Sequence, residues 1–331
     1  MPGLRQDPLT GNWVLIAPER RHRPSYLDVP PMEKLEPGLC PFCEGNEDLT
    51  PPEIDAWRPQ GGEPNKPGWR VRVFANKFPA LRVEGEPVET RSGIFVIHSA
   101  IGAHEVVAET PAHDLRMGDT DPRHIREVFL AFKRRIIDLR GDVRLRYIQV
   151  FKNSGALAGA TIPHPHSQIL ALPLVPAAVE ERLKRARALH TEHGKCFFCG
   201  VIQKAVNEKK RLLLEDEEFV VVAPYAPAFP FQLRLMGRTH RCRFEETPDG
   251  EFLNLAAALK EAMGMIERGL GDPSYHLILH NAPFEAGCEE FYHWHLDIVP
   301  RISGIGGFEH ATGCYINPFP PEEAVSELRK F

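Results

Sequence analysis

The residues best placed for chemistry sit in GATIPHPHSQIL, residues 159–170, where His164, His166 and Gln168 recur at every second position. In a strand, side chains two apart share a face and stand about 6.6–6.8 Å from one another. Three polar groups in a row, with Ile169 and Leu170 close behind, describe a site inside a buried strand. Thiols add to it. Of seven cysteines, four form two Cys-x-x-Cys pairs, Cys40/Cys43 in CPFC and Cys196/Cys199 in CFFC. The N-terminal MPGLRQDPLTGNW has no charged stretch followed by an apolar one, so a cytoplasmic protein is expected. There such pairs read as metal binding or redox rather than as a disulfide framework. A net charge of −5 gives no support to a nucleic-acid-coating surface, and no apolar run approaches the roughly 20 residues that span a bilayer.

The second half of the chain repeats the first. Ile125, Val128, Phe129, Phe132, Ile136 and Leu139 form one helical stripe, and Phe252, Leu255, Ala256, Leu259, Met263 and Ile266 repeat its spacing 127 residues later. His240 lies 127 residues after His113; His293 and His295 lie 129 after His164 and His166. The order of elements is also repeated. Strands read from WRVRVFANKF, SGIFVIHSA and HEVVAET precede a helix that Thr120 or Asp121 can cap and Gly141 can stop; a strand RYIQVF and the histidine strand follow. The Pro- and Gly-rich segment over residues 20–53 reads mostly as loop. An internal duplication follows: an α+β fold of two tandem units, each a mainly antiparallel sheet with a long helix packed on it. The expected boundaries are 1–176 for the unit carrying the active site, 177–195 for a charged helical linker and 196–331 for the second unit.

Duplication decides between redox and metal. Cys40, Cys43, His113 and His164 make one set, Cys196, Cys199, His240 and His293 the other, each with the two thiolates and two imidazoles of a closed tetrahedral zinc site. Two structural zinc ions per chain are expected. Cys242, Cys288 and Cys314 lack such partners and read as core residues. With His164 held by zinc, His166 is free to act, and a neutral imidazole is a competent nucleophile near pH 7. The loop Asn153–Thr161 is rich in Gly and small residues and lets a phosphate approach backbone N–H groups. Gln168 can donate an amide N–H to a phosphate oxygen without carrying a transferable proton. Together these point to phosphoryl or nucleotidyl transfer through a covalent intermediate on His166. The second copy has Asp297 in the place of Gln168 and a bulkier, acidic loop. A carboxylate there would repel a phosphate, so one active site per chain is expected, the second copy being structural or lining the substrate pocket. A zinc-stabilised nucleotide-binding protein without turnover is the other reading.

The same residues resemble the galactose-1-phosphate uridylyltransferase family, a branch of the histidine-triad superfamily. The resemblance runs through RQDPLTGNWVLIAPERRHRP, CPFC, NKFPAL, HEVVAETPAH, NSGALAGATIPHPHSQI, FYHWHLDIVPR and GGFEHATGCYINPFPPEEA. It implies two histidine-triad-like domains, a homodimer, and ping-pong transfer of uridylyl from UDP-glucose to galactose 1-phosphate, with no nucleic acid or membrane involved. Carried over by position, it makes His166 the nucleophile and Gln168 the ligand of the α-phosphoryl oxygens, in the place where hydrolytic relatives have a third His. Asn153, Ser154, Gly155 and Thr161 match the phosphate loop, Arg20 and Arg23 the arginines that approach the nucleotide sugar, and Asn76 a segment lining the nucleoside. Ser167 stands where the galactose enzymes usually have Gly. With GCYIN near the C-terminus it is similar to plant-type ADP-glucose phosphorylases, which transfer adenylyl groups to phosphate.

Overall fold

The computed structural model describes residues 2–22, 36–285 and 287–331. The first half runs through β1 (Gly3–Gln6), β2 (Trp13–Ile16), β3 (Glu53–Trp57), β4 (Val71–Ala75), β5 (Glu89–Ser92), β6 (Phe95–His98), β7 (Ala103–Ala108), α1 (Pro122–Arg140), β8 (Tyr147–Ser154) and β9 (His166–Leu172). The second runs through α2 (Ala177–His193), α3 (Phe197–Glu208), β10 (Leu212–Glu215), β11 (Phe219–Val222), β12 (Leu233–Gly237), α4 (Phe252–Leu270), β13 (Tyr275–His280), β14 (His295–Pro300), α5 (Gly307–Thr312), β15 (Tyr315–Asn317) and α6 (Pro321–Leu328).

The duplication is visible in the strand order β10-β11-β12-β14-β13-β8-β9-β7-β4-β3, which reads the same from either end once counterparts are exchanged. The sheets expected of the two units prove to be continuous. β8 and β13 pair antiparallel, from Tyr275 opposite Ser154 to Leu279 opposite Val150, and fuse the halves into one ten-stranded sheet. Each half alone would leave that strand's N–H and C=O groups unpaired at an edge, and pairing the two edges removes the liability.

Both long helices follow from their stripes. In α1 Asp121 caps the start, its Oδ1 accepting from Arg123 N at 2.8 Å, Pro122 fills the first turn, and Gly141 ends the helix. All twelve stripe residues are buried, and each of them other than Ala256 contributes roughly 1.5–3 kcal/mol. α1 and α4 also pack on each other: the rings of Phe129 and Phe252 are 6.1 Å apart, and one core cluster spans both helices and the sheet. The helix expected over 177–195 is α2, with Ala186 in a second core beside Phe198 and Leu9.

Two local expectations change. β4 does not alternate: Val71 to Phe74 are all buried, because Arg72 turns inward to Glu53 and to Thr50 Oγ1 at 2.8 Å. β6 stays off the main sheet and forms an exposed hairpin with β5, on which Ile94 and Phe95 are 90% and 69% exposed. Cys242 and Cys288 lie together in the second core, as expected of core residues, and mutual hydrogen bonding and burial push the Cys242 thiol pKa up. The terminal segments meet in a small sheet, β1-β2-β15. Among the described residues no helix is long and apolar enough to cross a membrane.

Candidate active site and metal centres

β9 begins at His166, so His164 precedes the strand instead of sharing its face, a correction to the simple alternation. Pro163 and Pro165 lack N–H groups and hold the entry extended, while Pro165 O accepts from Glu109 N at 3.1 Å. The two histidines then turn to different partners. His166 is 7% exposed, and its Nδ1 lies 2.8 Å from the carbonyl oxygen of His164. A carbonyl only accepts, so Nδ1 carries the proton and Nε2 keeps its lone pair. Burial lowers the imidazole's pKa below its usual value, which keeps it neutral and nucleophilic at neutral pH. The ring of Phe42, from between the first pair of cysteines, meets the His166 ring edge-on at 5.2 Å.

Gln168 is oriented by a residue that sequence reasoning missed. His104, on the neighbouring β7, accepts from Ala80 N at Nδ1 (3.1 Å) and therefore donates from Nε2 to Gln168 Oε1 at 2.9 Å. The amide NH2 of Gln168 is left for a ligand. Asn76 Nδ2 lies 3.1 Å from the same His104 nitrogen, which is a donor in this tautomer, so the hydrogen bond belongs to Gln168. Asn76 is thus brought beside Gln168, with its own Oδ1 taken by Phe78 N at 2.9 Å.

The phosphate loop rests on the second half. Asn153 Oδ1 is 2.9 Å from His276 Nδ1 on β13, and Ser154 is opposite Tyr275 in the sheet. Gly155 has φ +82°, and a Cβ there would stand 3.0 Å from Ser274 Cα, so only glycine fits. Thr161 is exposed and makes no hydrogen bond among the described residues. Arg20 is exposed in the turn Pro18–His22, beside Arg21, which reaches Pro318 O and Glu323; no contact joins Arg20 to the His166 group. Arg23 lies outside the described residues.

The eight expected metal ligands come together as two groups, Cys40, Cys43, His113, His164 and Cys196, Cys199, His240, His293, each with its ligand atoms within 4.8 Å of one another. The donor chemistry fits zinc. His164 Nε2 donates to Thr110 O at 2.7 Å and His240 Nε2 to Glu289 O at 2.7 Å, which frees each Nδ1 for a metal. Those nitrogens face Cys43 Sγ at 3.5 Å and Cys199 Sγ at 3.3 Å. Burial, with Cys40 alongside, pushes the Cys43 thiol up to about 12, so a bound cation rather than bulk pH is what would ionise it. A zinc ion there would tie the CPFC loop, and with it Phe42, to the strand of His166.

Behind the nucleophile lies a second group absent from the sequence reading. Ser167 Oγ donates to Glu109 Oε1 at 2.5 Å, and Lys152 Nζ on β8 donates to Glu109 Oε2 at 2.5 Å, all three buried. Ser167 therefore anchors β9 from the face opposite His166. The face of the second copy that corresponds to His166 and Gln168 is different. His295 keeps the same tautomer device, with Nδ1 3.0 Å from His293 O, and its ring stacks on His280 at 4.5 Å. Asp297, however, takes Arg234 bidentately at 2.7 and 2.9 Å; burial alone would raise its pKa, and Arg234 outweighs that and holds it well below the usual carboxylate range. His280, His295 and Asp297 also lie within 4.8 Å of one another, but both Asp297 oxygens are already committed to Arg234.

Comparison with known proteins agrees with this geometry. Residues 1–176 match the family model for the galactose-1-phosphate uridyl transferase N-terminal domain, and residues 182–304 match its C-terminal domain. The chain is 37% identical to ADP-glucose phosphorylase of Arabidopsis thaliana over 335 residues, covering 99% of this chain and 93% of the relative. It is 29% identical to galactose-1-phosphate uridylyltransferase of Thermotoga maritima over 340 residues, 100% and 98% of the two. The crystal structure of the Arabidopsis ADP-glucose phosphorylase with bound ADP-glucose superposes with a TM-score of 0.85 at 35% identity, covering 100% and 99%. A uridylyltransferase structure gives 0.76 at 27% identity, covering 100% and 98%. With both halves of the family pattern matched and with these relatives, the chain belongs to the galactose-1-phosphate uridylyltransferase family of nucleotidyltransferases.

Proposed function

We propose that the protein transfers a nucleotidyl group from a nucleoside diphosphate glucose by a ping-pong reaction on His166. The observation that carries this is the tautomer of His166, whose Nε2 keeps its lone pair, on the strand where the NH2 of Gln168 has no partner among the described residues. His166 Nε2 attacks the α-phosphorus, the bond from that phosphorus to the bridging oxygen breaks, and glucose 1-phosphate leaves with the bond's electrons. The phosphoramidate then waits. Gln168 has no transferable proton to give the imidazole, which favours a phosphate-bearing acceptor over water. An acceptor phosphate oxygen attacks the same phosphorus, the P–N bond breaks, and neutral His166 returns.

For the donor, ADP-glucose with inorganic phosphate as acceptor is the reading we favour. It is supported by the likeness to the Arabidopsis enzyme and by Ser167 at the position where the galactose enzymes usually have Gly. UDP-glucose with galactose 1-phosphate is the second reading, supported by the two family models and the Thermotoga relative. The remaining expectations belong to the same proposal: Asn153, Ser154, Gly155 and Thr161 around the phosphates, Asn76, Arg20 and Arg23 toward the nucleotide sugar, units 1–176 and 196–331 joined by a linker over 177–195, a homodimer and a cytoplasmic setting.

Incubating the protein with ADP-glucose or UDP-glucose labelled with 32P at the α-phosphorus, without acceptor, tests the reading. An acid-labile label on the protein, absent from His166→Ala, is expected; an unlabelled wild type removes the enzyme reading. Chasing the label with phosphate or with galactose 1-phosphate separates the two donors and acceptors. Zinc is expected at two ions per chain by elemental analysis of the purified protein, and a content near zero overturns the paired structural sites.

A further inference from the structure

We propose that Arg301 and His276, both from the second half of the chain, form a directional relay that fixes the side-chain amide of Asn153 with its NH2 turned to the nucleotide's phosphates. Arg301 Nη1 lies 3.2 Å from His276 Nε2, and His276 Nδ1 lies 2.9 Å from Asn153 Oδ1. Guanidinium can only donate. His276 Nε2 must then hold a lone pair, Nδ1 must carry the proton, and the atom of Asn153 that receives it must be the oxygen. Asn153 Nδ2, with two N–H groups, has no partner among the described residues and is what remains for a ligand.

The surroundings hold each member in place. His276 and Asn153 are opposite one another in the β13–β8 ladder, so the contact is built into the register. Arg301 follows β14 directly, donates its backbone N–H to Ser274 O at 2.7 Å and lies over the Phe229 ring at 4.8 Å. Ser274 in turn takes Leu157 N on Oγ at 3.3 Å and packs against Gly155. The phosphate loop of one copy is thus supported from beneath by the other copy. That gives the second half, which lacks a counterpart of Gln168, a job in the reaction: its residues are positioning residues for the first half's site.

The inference rests on the proposed role of Asn153 as a phosphate ligand, and two readouts keep the two apart. The first needs no turnover. In protein labelled with 15N-histidine, His276 is expected to show a protonated Nδ1 and an unprotonated Nε2, its signals being assigned by their loss in His276→Gln; the opposite tautomer, or an imidazolium, overturns the relay. The second is the concentration dependence of self-labelling by the α-32P donor. His276→Ala frees the Asn153 amide to turn, and the donor concentration for half-maximal labelling is expected to rise about tenfold while the maximal rate changes little, because a phosphate contact is made in ground and transition states alike. His276→Gln can accept from Arg301 on Oε1 and donate to Asn153 from Nε2, and it is expected to restore the wild-type value within about twofold. A fall in maximal rate with unchanged half-saturation, or no rescue by Gln in a protein that melts like wild type, overturns the relay. An unlabelled wild type removes the functional reading instead, and the tautomer still decides the relay.

Discussion

Lys152 and Glu109 place a full ion pair under the catalytic strand, at 4% and 5% exposure, with Ser167 Oγ on the second carboxylate oxygen. Taking both charges out of water is costly, and the pair persists because each oxygen of Glu109 is used. Removing one partner leaves the other charge uncompensated, so Lys152→Met is expected to destabilise the protein by about 3–5 kcal/mol in urea unfolding. Ser167→Ala leaves the pair intact and removes one hydrogen bond to a charged group, for which about 1–3 kcal/mol is expected. Equal effects in the two variants would show that the ion pair carries no special weight. Residue types and spacing made His166, Gln168 and the eight metal ligands legible, because chemistry restricts what can stand at such positions. His104, His276, Glu109 and Lys152 were not legible: each acts on a partner across the sheet, and only register puts them face to face. His104 left a trace, being a polar residue at the head of the apolar run HEVVA.

At the scale of elements, the stripes of α1 and α4 predicted their own burial, while strands were read less well because burial on both faces erases alternation. The terminal elements illustrate what periodicity does not reach. β1 is tied to α6 through Arg5, whose two terminal nitrogens meet the Glu322 carboxylate at 2.9 and 3.1 Å across 317 residues of sequence. Burial would raise the Glu322 pKa, but the hydrogen bonds from Arg5 prevail and the net shift is downward. The folded pKa therefore lies below the unfolded one of about 4.3. It follows that the contact stabilises the fold fully above that value, and loses its contribution as pH falls through it toward the folded pKa. The stability difference between wild type and Glu322→Gln, followed by urea unfolding, is expected to be constant from pH 7 to about 5 and to shrink below about 4. A difference that grows on acidification would contradict the direction of the shift.

At the scale of the whole molecule, duplication was legible from recurrence at 127 to 129 residues, but its consequence for assembly was not, since nothing in either copy's sequence says which strand edge meets which. The answer is β8 on β13, reinforced by Phe129 of α1 against Phe252 of α4 and by His276 on Asn153. Divergence between the copies is then understandable: one keeps Gln168 over a phosphate loop, while the other replaces it with an Asp297–Arg234 pair and keeps the strand that supports that loop. Each half alone opens an edge at β8 or β13 and bares the part of its long helix that packs on the other. Residues 1–176 by themselves would expose the hydrogen-bonding groups of β8 and the part of α1 around Phe129 that packs on α4, which favours aggregation over a stable monomer. The segment 1–176 produced alone is therefore expected to be aggregated and to take no label from the α-32P donor, despite containing His166 and Gln168. Co-production with 177–331 is expected to restore a soluble complex that labels on His166, because the two pieces can rebuild the β8–β13 ladder without a covalent link. A soluble, self-labelling 1–176 would show that the half carrying the nucleophile needs nothing from its copy, and that the shared sheet is an accident of tethering rather than part of the site.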